Sequence, residues 1–458
     1  MKKLLGLLMQ AFRGEGLNYT EMNINRAIFL LAVPMVIEMS FEALFALVDA
    51  FFVARVGVDA VAVVGITESV MALIYAVAWG LSTATTALVA RRVGEGNTEQ
   101  AGESTAQGIF ISLTLGVIFG LIGFTFSKEI LQFMGASTSV INAGINYTKL
   151  LFLSSPSIIM LFTLSGALRG AGDASKAMWS LALANIINMV LDAYLIWHLQ
   201  IGVVGAAIAT TIGRTVGVLL QLYLLSRKNG NVQLASKHFR YNLEVILSLL
   251  KLGAGNTGQF MIPSISWTAV VMILAAFGDN AVAGYTIAIR VIIFTILPAW
   301  GLGNAAAALV GQHLGAGNPE KAESSAWRTA FLNMTFLTLV GVVFYFLSPQ
   351  IIGAFGNSNP EVLAVGVACL RVICFGYIFF GIGMVLTQAL NGAGDTITPT
   401  YINIVSFFLV QIPLAYALAN TFHLGSKGVF IAIVAGDTVM TILSIMVFRR
   451  GKWKSVKV

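Results

Sequence analysis

The residues of this chain best suited to chemistry are acids in a place where acids are expensive. Arg26 to Gly57 reads RAIFLLAVPMVIEMSFEALFALVDAFFVARVG, an apolar stretch of bilayer length that carries Glu38, Glu42 and Asp49. Each of these costs a few kcal/mol at membrane depth, so each needs a reason to be there. At about 100° per residue the three fall within about 40° of one another, on one helical face. That face must look into protein or water. Pro34 stands one turn before Glu38 and leaves a backbone carbonyl without its usual partner, which predicts a hinge.

Other charges lie within apolar spans: Glu68, Asp192, Lys149 and Arg214 in the first half of the chain, Arg290, Arg371 and Asp437 in the second. Counting inward from the span ends at about 1.5 Å per residue brings Asp49, Glu68, Tyr147, Asp192 and Thr210 to the outer half of one bundle. Asn188, one turn from Asp192, shares its face. Two carboxylates with Asn, Thr and Tyr oxygens suit a hard cation such as Na⁺, held by Asp49, Asn188, Asp192 and Thr210, or a carboxylate whose proton affinity changes with solvent access. Glu38, Glu42 and Glu68 are candidate additional coupling groups. Arg290 and Arg371 are candidate substrate or ion-pair groups, and Asp437 begins alone.

The elements that must position these groups follow from composition. The chain has 458 residues, 57% hydrophobic and 10% charged, with a mean hydropathy of +0.86. Soluble domains carry about 25% charged residues, so this is an all-α polytopic membrane protein in contact with the lipid bilayer. The net charge of +7 sits at helix ends and not along one amphipathic face, which excludes nucleic acid as a partner. Cys369 and Cys374 point in different directions from one span and read as packing. Twelve spans are expected, near 27–54, 59–90, 101–126, 141–165, 175–198, 203–226, 244–276, 280–311, 321–348, 362–388, 397–420 and 427–448. With both termini inside, 20 of the 27 Lys and Arg residues, Arg169, Lys176 and Lys228 among them, fall on the cytoplasmic side and three outside. The localisation expected is the inner (plasma) membrane, multi-pass, with cytoplasmic termini.

The chain divides into an amphipathic segment (1–25), a first lobe of six spans (26–226), a cytoplasmic linker (227–243), a second lobe of six spans (244–448) and a basic tail (449–458). The lobes are repeats. ALVARRVGEGNTEQAGES (87–104) matches ALVGQHLGAGNPEKAESS (308–325), and SGALRGAGDAS (165–175) matches TQALNGAGDTI (387–397). Gly205, Ala209, Gly213 and Thr215 recur at Gly428, Ala432, Gly436 and Thr438, so the offsets are 221, 222 and 223. Six spans per repeat give both lobes the same orientation about a pseudo-twofold axis along the membrane normal, with a cleft between them. The Gly-rich turns follow no strand and carry no Lys-Ser/Thr, so they are not phosphate loops and ATP is not the direct energy source. Gly96 and Gly317 are expected to end helices, and Asn97, Asn318, Asp173 and Asp395 to cap the next ones.

The paired six-span repeats, Pro34 followed by VDAFFVARVG in span one, LRGAGD before span five, NMVLD within it and GVVGAAIATTIG in span six resemble the multidrug and toxic compound extrusion (MATE) family, and within it the DNA-damage-inducible branch. The resemblance runs from about residue 26 to 448. It implies an antiporter, not an enzyme and without cofactor, that expels amphipathic, often cationic organic compounds by alternating access in exchange for H⁺ or Na⁺. It also matches Asp49, Tyr147, Asn188, Asp192 and Thr210 to the family's coupling cluster. Glu38 and Glu42 depart from the family pattern. A monomer is expected. Two other readings exist: a lipid-linked precursor flippase using Arg290 and Arg371 on an anionic head group, and an intramembrane enzyme, for which His198, His238, His313 and His423 are poorly placed ligands.

Overall fold

The computed structural model describes residues 2–14, 17–227, 230–355 and 359–457; Lys228 lies outside them. Sixteen α-helices account for the described chain: α1 (Lys2–Arg13), α2 (Ile24–Ala54), α3 (Val58–Gly94), α4 (Thr98–Thr125), α5 (Ser127–Phe133), α6 (Thr138–Leu153), α7 (Ser155–Gly170), α8 (Ala174–Asp192), α9 (Val203–Ser226), α10 (Leu243–Ala275), α11 (Asp279–Gly315), α12 (Pro319–Gly353), α13 (Pro360–Gly392), α14 (Ile397–Asn403), α15 (Ile412–Tyr416) and α16 (Ser426–Arg449). Eleven helical stretches are long and apolar enough to span a membrane, and the bent pair α6–α7, turned by 42° at Ser154, makes the twelfth. These form two six-helix lobes.

Three features depart from the sequence reading: the broken fourth span, the short helix before it and the π-helical turns in the fifth span of each lobe. The fourth span is broken, because Ser154 sits between α6 and a helix whose second residue is Pro156. A short helix, α5, precedes it. The fifth span of each lobe loosens into π-helical turns, at Ala193–His198 in the first and at Ile404–Gln411 and Ala417–Thr421 in the second. Helix α2 passes through Pro34 as one continuous helix from Ile24 to Ala54.

The repeat is carried down to backbone angles. Glycines with positive φ at 57, 96, 172 and 202 recur at 278, 317, 394 and 425, and the two non-glycine residues with positive φ, Gln200 and His423, are a repeat pair. Gly96 and Gly317 end their helices in the left-handed region, as expected. Asn97 then caps α4 through Gln100 N, and Asn318 caps α12 through Lys321 N. Asp395 accepts from Thr398 N at 3.1 Å. Asp173 does not cap; its carboxylate takes Lys176 Nζ at 2.8 Å instead.

One face of the bundle gathers the chain ends and the connection between lobes, and we call it the terminal face. Tyr19 donates to Gly172 O, Asn231 to Ala171 O, and Lys321 to Thr20 O. The last residues fold back onto this face, where Trp453 is buried, stacks on Phe448 at 4.5 Å and donates to its carbonyl at 2.8 Å. Lys237 and His238 of the connection hold Glu99 at the start of α4, and the Lys237 hydrogen bond keeps that exposed carboxyl below the usual carboxylate range.

Close approaches between the lobes among the described residues lie in the terminal half. Small residues permit the approach: a Cβ on Gly301 would stand 2.6 Å from the backbone of Val36, and one on Gly80 2.7 Å from Thr257 N. Farther along, Gly94 and Gly315 abut Gln312 and Arg91. Asn256 donates to Gly80 O and Gln312 to Gly170 O. Beyond the level of Val36 and Trp79 no hydrogen bond, ion pair or ring contact among the described residues joins the lobes, and the cleft opens toward the far face.

Candidate functional site

Helix α2 is apolar on most of its surface because it is packed on both lobes, against α8 in its own and α11 in the other. Its acidic stripe faces its own lobe. Glu38, 1% exposed, receives Arg169 Nη1 at 2.7 Å, while Arg169 Nη2 donates to Ser82 Oγ. One turn on, Glu42 takes both arms of Arg214, at 2.7 and 3.1 Å. That guanidinium is 2% exposed and lies over the rings of Phe45 at 4.6 Å and Phe162 at 5.7 Å. A charge this deep persists only when paired and hydrogen-bonded, and here each pair closes on itself. Glu38 and Glu42 are therefore neutralised. Arg169, assigned to the cytoplasmic side from sequence, is instead a buried partner, 5% exposed.

Two turns farther along the same stripe no basic group is in contact. Asp49 is 8% exposed and Asp192, the last residue of α8, is fully buried. Asp49 Oδ1, both carboxylate oxygens of Asp192 and Asn188 Oδ1 have no hydrogen-bond partner among the described residues. Asn188 Nδ2 donates to Thr210 Oγ1 at 3.2 Å. Asp49 and Asp192 lie within electrostatic reach of each other, and Tyr147, buried on α6, is within reach of both. Asp49, Tyr147, Asn188, Asp192 and Thr210 thus lie near one another, contributed by α2, α6, α8 and α9. Four buried oxygens without donors suit a proton or a hard cation. The π-helical turn that begins at Ala193 starts immediately after Asp192, at the edge of this pocket.

Of the remaining candidates, Glu68 on α3 is exposed to the cleft and within reach of Asp49. Arg290 on α11 is also exposed. Arg371 ties two helices of its own lobe, donating to Ser348 Oγ at 2.9 Å and stacking on Tyr345. Asp437 lies on α16 with no ion pair among the described residues.

Sequence reading missed the floor of the cleft. Trp79 meets Trp300 at 5.4 Å and Phe260 at 5.3 Å, edge to face or tilted, and Phe260 meets Trp300 at 5.2 Å. All four rings of the cluster, with Tyr75 against Trp79, are partly exposed. The repeat offset held the signal: 79 plus 221 is 300, so the two tryptophans are equivalents that touch where the lobes join.

The MatE family model matches residues 34–194 and 258–417, one stretch in each lobe. The "Probable multidrug resistance protein YoeA" of Bacillus subtilis is 26% identical over 94% of this chain and 95% of its own length. The "Probable multidrug resistance protein NorM" of Thermotoga maritima is 26% identical over 94% of this chain and 93% of its own. Among solved structures, one described as an outward-facing conformation of a multidrug resistance MATE family transporter of the MOP superfamily superposes with a TM-score of 0.90, at 28% identity over 95% of this chain and 97% of that one. The matches span the whole architecture and not a shared fragment, and the chain belongs to the MatE family, whose members are membrane transporters and not enzymes.

Proposed function

We propose that this chain is a secondary active multidrug efflux antiporter, exporting amphipathic, often cationic organic compounds in exchange for H⁺ or Na⁺ by alternating access. The observation that carries the reading is the contrast along helix α2: Glu38 and Glu42 have arginine partners, whereas Asp49 faces Asp192 with unsatisfied oxygens on both. Loading that pair with an ion removes the mutual repulsion of two buried carboxylates, and unloading restores it. Tyr147, Asn188 and Thr210 add further oxygens beside the pair. Cargo and ion then compete through a coupling energy of about 1–3 kcal/mol.

The terminal face is cytoplasmic in this reading, in keeping with the excess of Lys and Arg there, so the cleft described above opens outward. The membrane is the plasma (inner) membrane, and one chain holds both lobes and so works as a monomer. The flippase alternative loses one of its two arginines, since Arg371 is committed to Ser348 and Tyr345.

The test is efflux of a fluorescent organic cation from proteoliposomes under an imposed pH gradient and, separately, an imposed Na⁺ gradient. One gradient drives wild-type transport, and Asp49→Asn abolishes the response to it. Gradient-driven transport by Asp49→Asn at the wild-type rate refutes the assignment.

A further inference from the structure

Where α16 leaves the second lobe the chain carries a dense set of cations that neither the ion site nor the cleft uses. Arg449, Arg450, Lys452, Lys454 and Lys457 all fall within residues 449–457. The tail that bears them is pinned. Trp453 is buried against Phe448, Lys454 pairs with Glu323 of α12, and Arg91 of the first lobe donates to Val456 O. Arg450, Lys452 and Lys457 are exposed, with no hydrogen bond or ion pair among the described residues. The Arg449 guanidinium lies 5.8 Å from the ring centre of Trp327 on α12.

An apolar track leads away from these cations. Trp327 stacks at 6.0 Å on Phe331, one turn farther from the terminal face, and Phe331 is 52% exposed. The exposed side chains of α12 change character at this level: Glu320 and Arg328 come before it, Phe331 and Leu332 after it. A tryptophan at such a change marks a membrane–water boundary. The repeat shows that this place is special to the second lobe. Phe110 is the equivalent of Phe331, since 110 plus 221 is 331, and the connection between the lobes packs on it, Phe239 meeting Phe110 edge to face at 5.8 Å. No such segment lies over Phe331 among the described residues. By the same offsets the first lobe has Ala106 in place of Trp327 and Ser226 in place of Arg449.

We propose that Arg449, Arg450 and Lys452, with Trp327 and Phe331, form a binding site for an anionic phospholipid of the leaflet at the terminal face. The phosphate meets the cations and an acyl chain lies along the two rings. Basic residues just beyond a membrane span attract anionic head groups, and the arginine fork matches phosphate oxygens. The exposed aromatic faces give the chain an apolar surface to cover. The site lies on the lipid-facing side of the second lobe, so it does not depend on the efflux reading.

The test is lipid selectivity at Trp327. The full chain is reconstituted into vesicles of phosphatidylcholine and phosphatidylglycerol in varied ratio, with bromine on the acyl chains of one lipid or the other. The part of the tryptophan quenching that Trp327→Phe removes reports the site. In the wild type brominated phosphatidylglycerol quenches at the lower mole fraction. Arg450→Gln lowers that preference about fivefold, the worth of one cation at an anionic surface. The triple variant Arg449→Gln, Arg450→Gln, Lys452→Gln is quenched equally by both lipids. The charge-conserving pair Arg449→Lys, Arg450→Lys keeps the preference, and so does Arg227→Gln at the first-lobe counterpart of Arg450. Equal quenching in the wild type, a preference that survives in the triple variant, or its loss in the lysine pair overturns the proposal. Displacement by millimolar inorganic phosphate at constant ionic strength assigns the cations to a free anion instead of a lipid. A Trp327 that no lipid quenches means that another copy of the chain covers this face, and that also overturns it.

Discussion

The Glu42–Arg214 pair permits a sharp test of what holds helix α2 to its lobe. Arg214→Met removes two N–H···O bonds, of 2.7 and 3.1 Å, and leaves a carboxylate with 11% of its side chain exposed. Removing one member of a buried pair costs about 3–5 kcal/mol, and the residual exposure of Glu42 puts this variant near the lower end. Glu42→Leu strands a guanidinium that is 2% exposed, and belongs near the upper end despite the two aromatic rings beside it. The double variant strands nothing. A buried ion pair replaced by apolar groups of similar volume is often neutral, so the double variant should lie within about 1 kcal/mol of wild type. The assay is the loss of structure with rising SDS in mixed micelles for all four proteins, analysed as a double-mutant cycle. If the losses of the two single variants add in the double variant to within about 0.5 kcal/mol, the groups are not coupled and the account of α2 is wrong.

Three further substitutions follow from contacts described above. Gly301→Ala places a Cβ 2.6 Å from the backbone of Val36, at the cleft end of the seam, and should lower stability by about 1–3 kcal/mol in the same SDS assay; a wild-type midpoint refutes the seam. Arg371→Gln loses the bond to Ser348 and the stack on Tyr345 and should lower stability by about 1 kcal/mol in the same SDS assay without altering the KM for any cargo. Trp453→Ala empties a site that is 1% exposed and removes a hydrogen bond to Phe448 O, so it should cost about 3 kcal/mol although it lies beyond the last span; a wild-type midpoint would show that the tail is not part of the fold.

Much of the architecture was legible because it is written in periodic features. Span positions follow from apolar run lengths, the two lobes from repeated turns, and the Asn97 and Asn318 caps from local chemistry that needs no partner far away. Convergence of Asp49 with Asp192 could be reached by counting depth along helices. What could not be reached depends on contacts between distant residues. The arginine partners of Glu38 and Glu42 could not be read from sequence because they lie 131 and 172 residues on. Arg169 looked cytoplasmic because it stands beside a loop motif, yet its side chain is buried against Glu38 and Ser82. The Asp173 cap failed for a nearby reason, since Lys176 competes for the same carboxylate. The bend at Ser154 was signalled by Pro156 and passed over, whereas the π-helical turns carry no residue-type signature.

The charges also reveal where the two lobes stop being copies. Packing residues keep the repeat, down to Gly213 with Gly436 and Trp79 with Trp300, because both lobes must solve the same helix-contact problem. Ionisable positions within the spans do not keep it. Arg214 and Asp437 are equivalents, since 214 plus 223 is 437, yet one is a cation closed on Glu42 and the other an acid with no ion pair among the described residues. Five of the intramembrane acids, Glu38, Glu42, Asp49, Glu68 and Asp192, belong to the first lobe, and the second supplies Asp437 with the arginines 290 and 371. Packing cannot account for that division, because an ion pair is costly to desolvate and its apolar replacement would pack as well. A symmetric frame with its acids on one side gives a protonation or ion-binding event in that lobe no counterpart in the other. In the antiport proposed above, that event alters the relation between the lobes instead of acting equally on both.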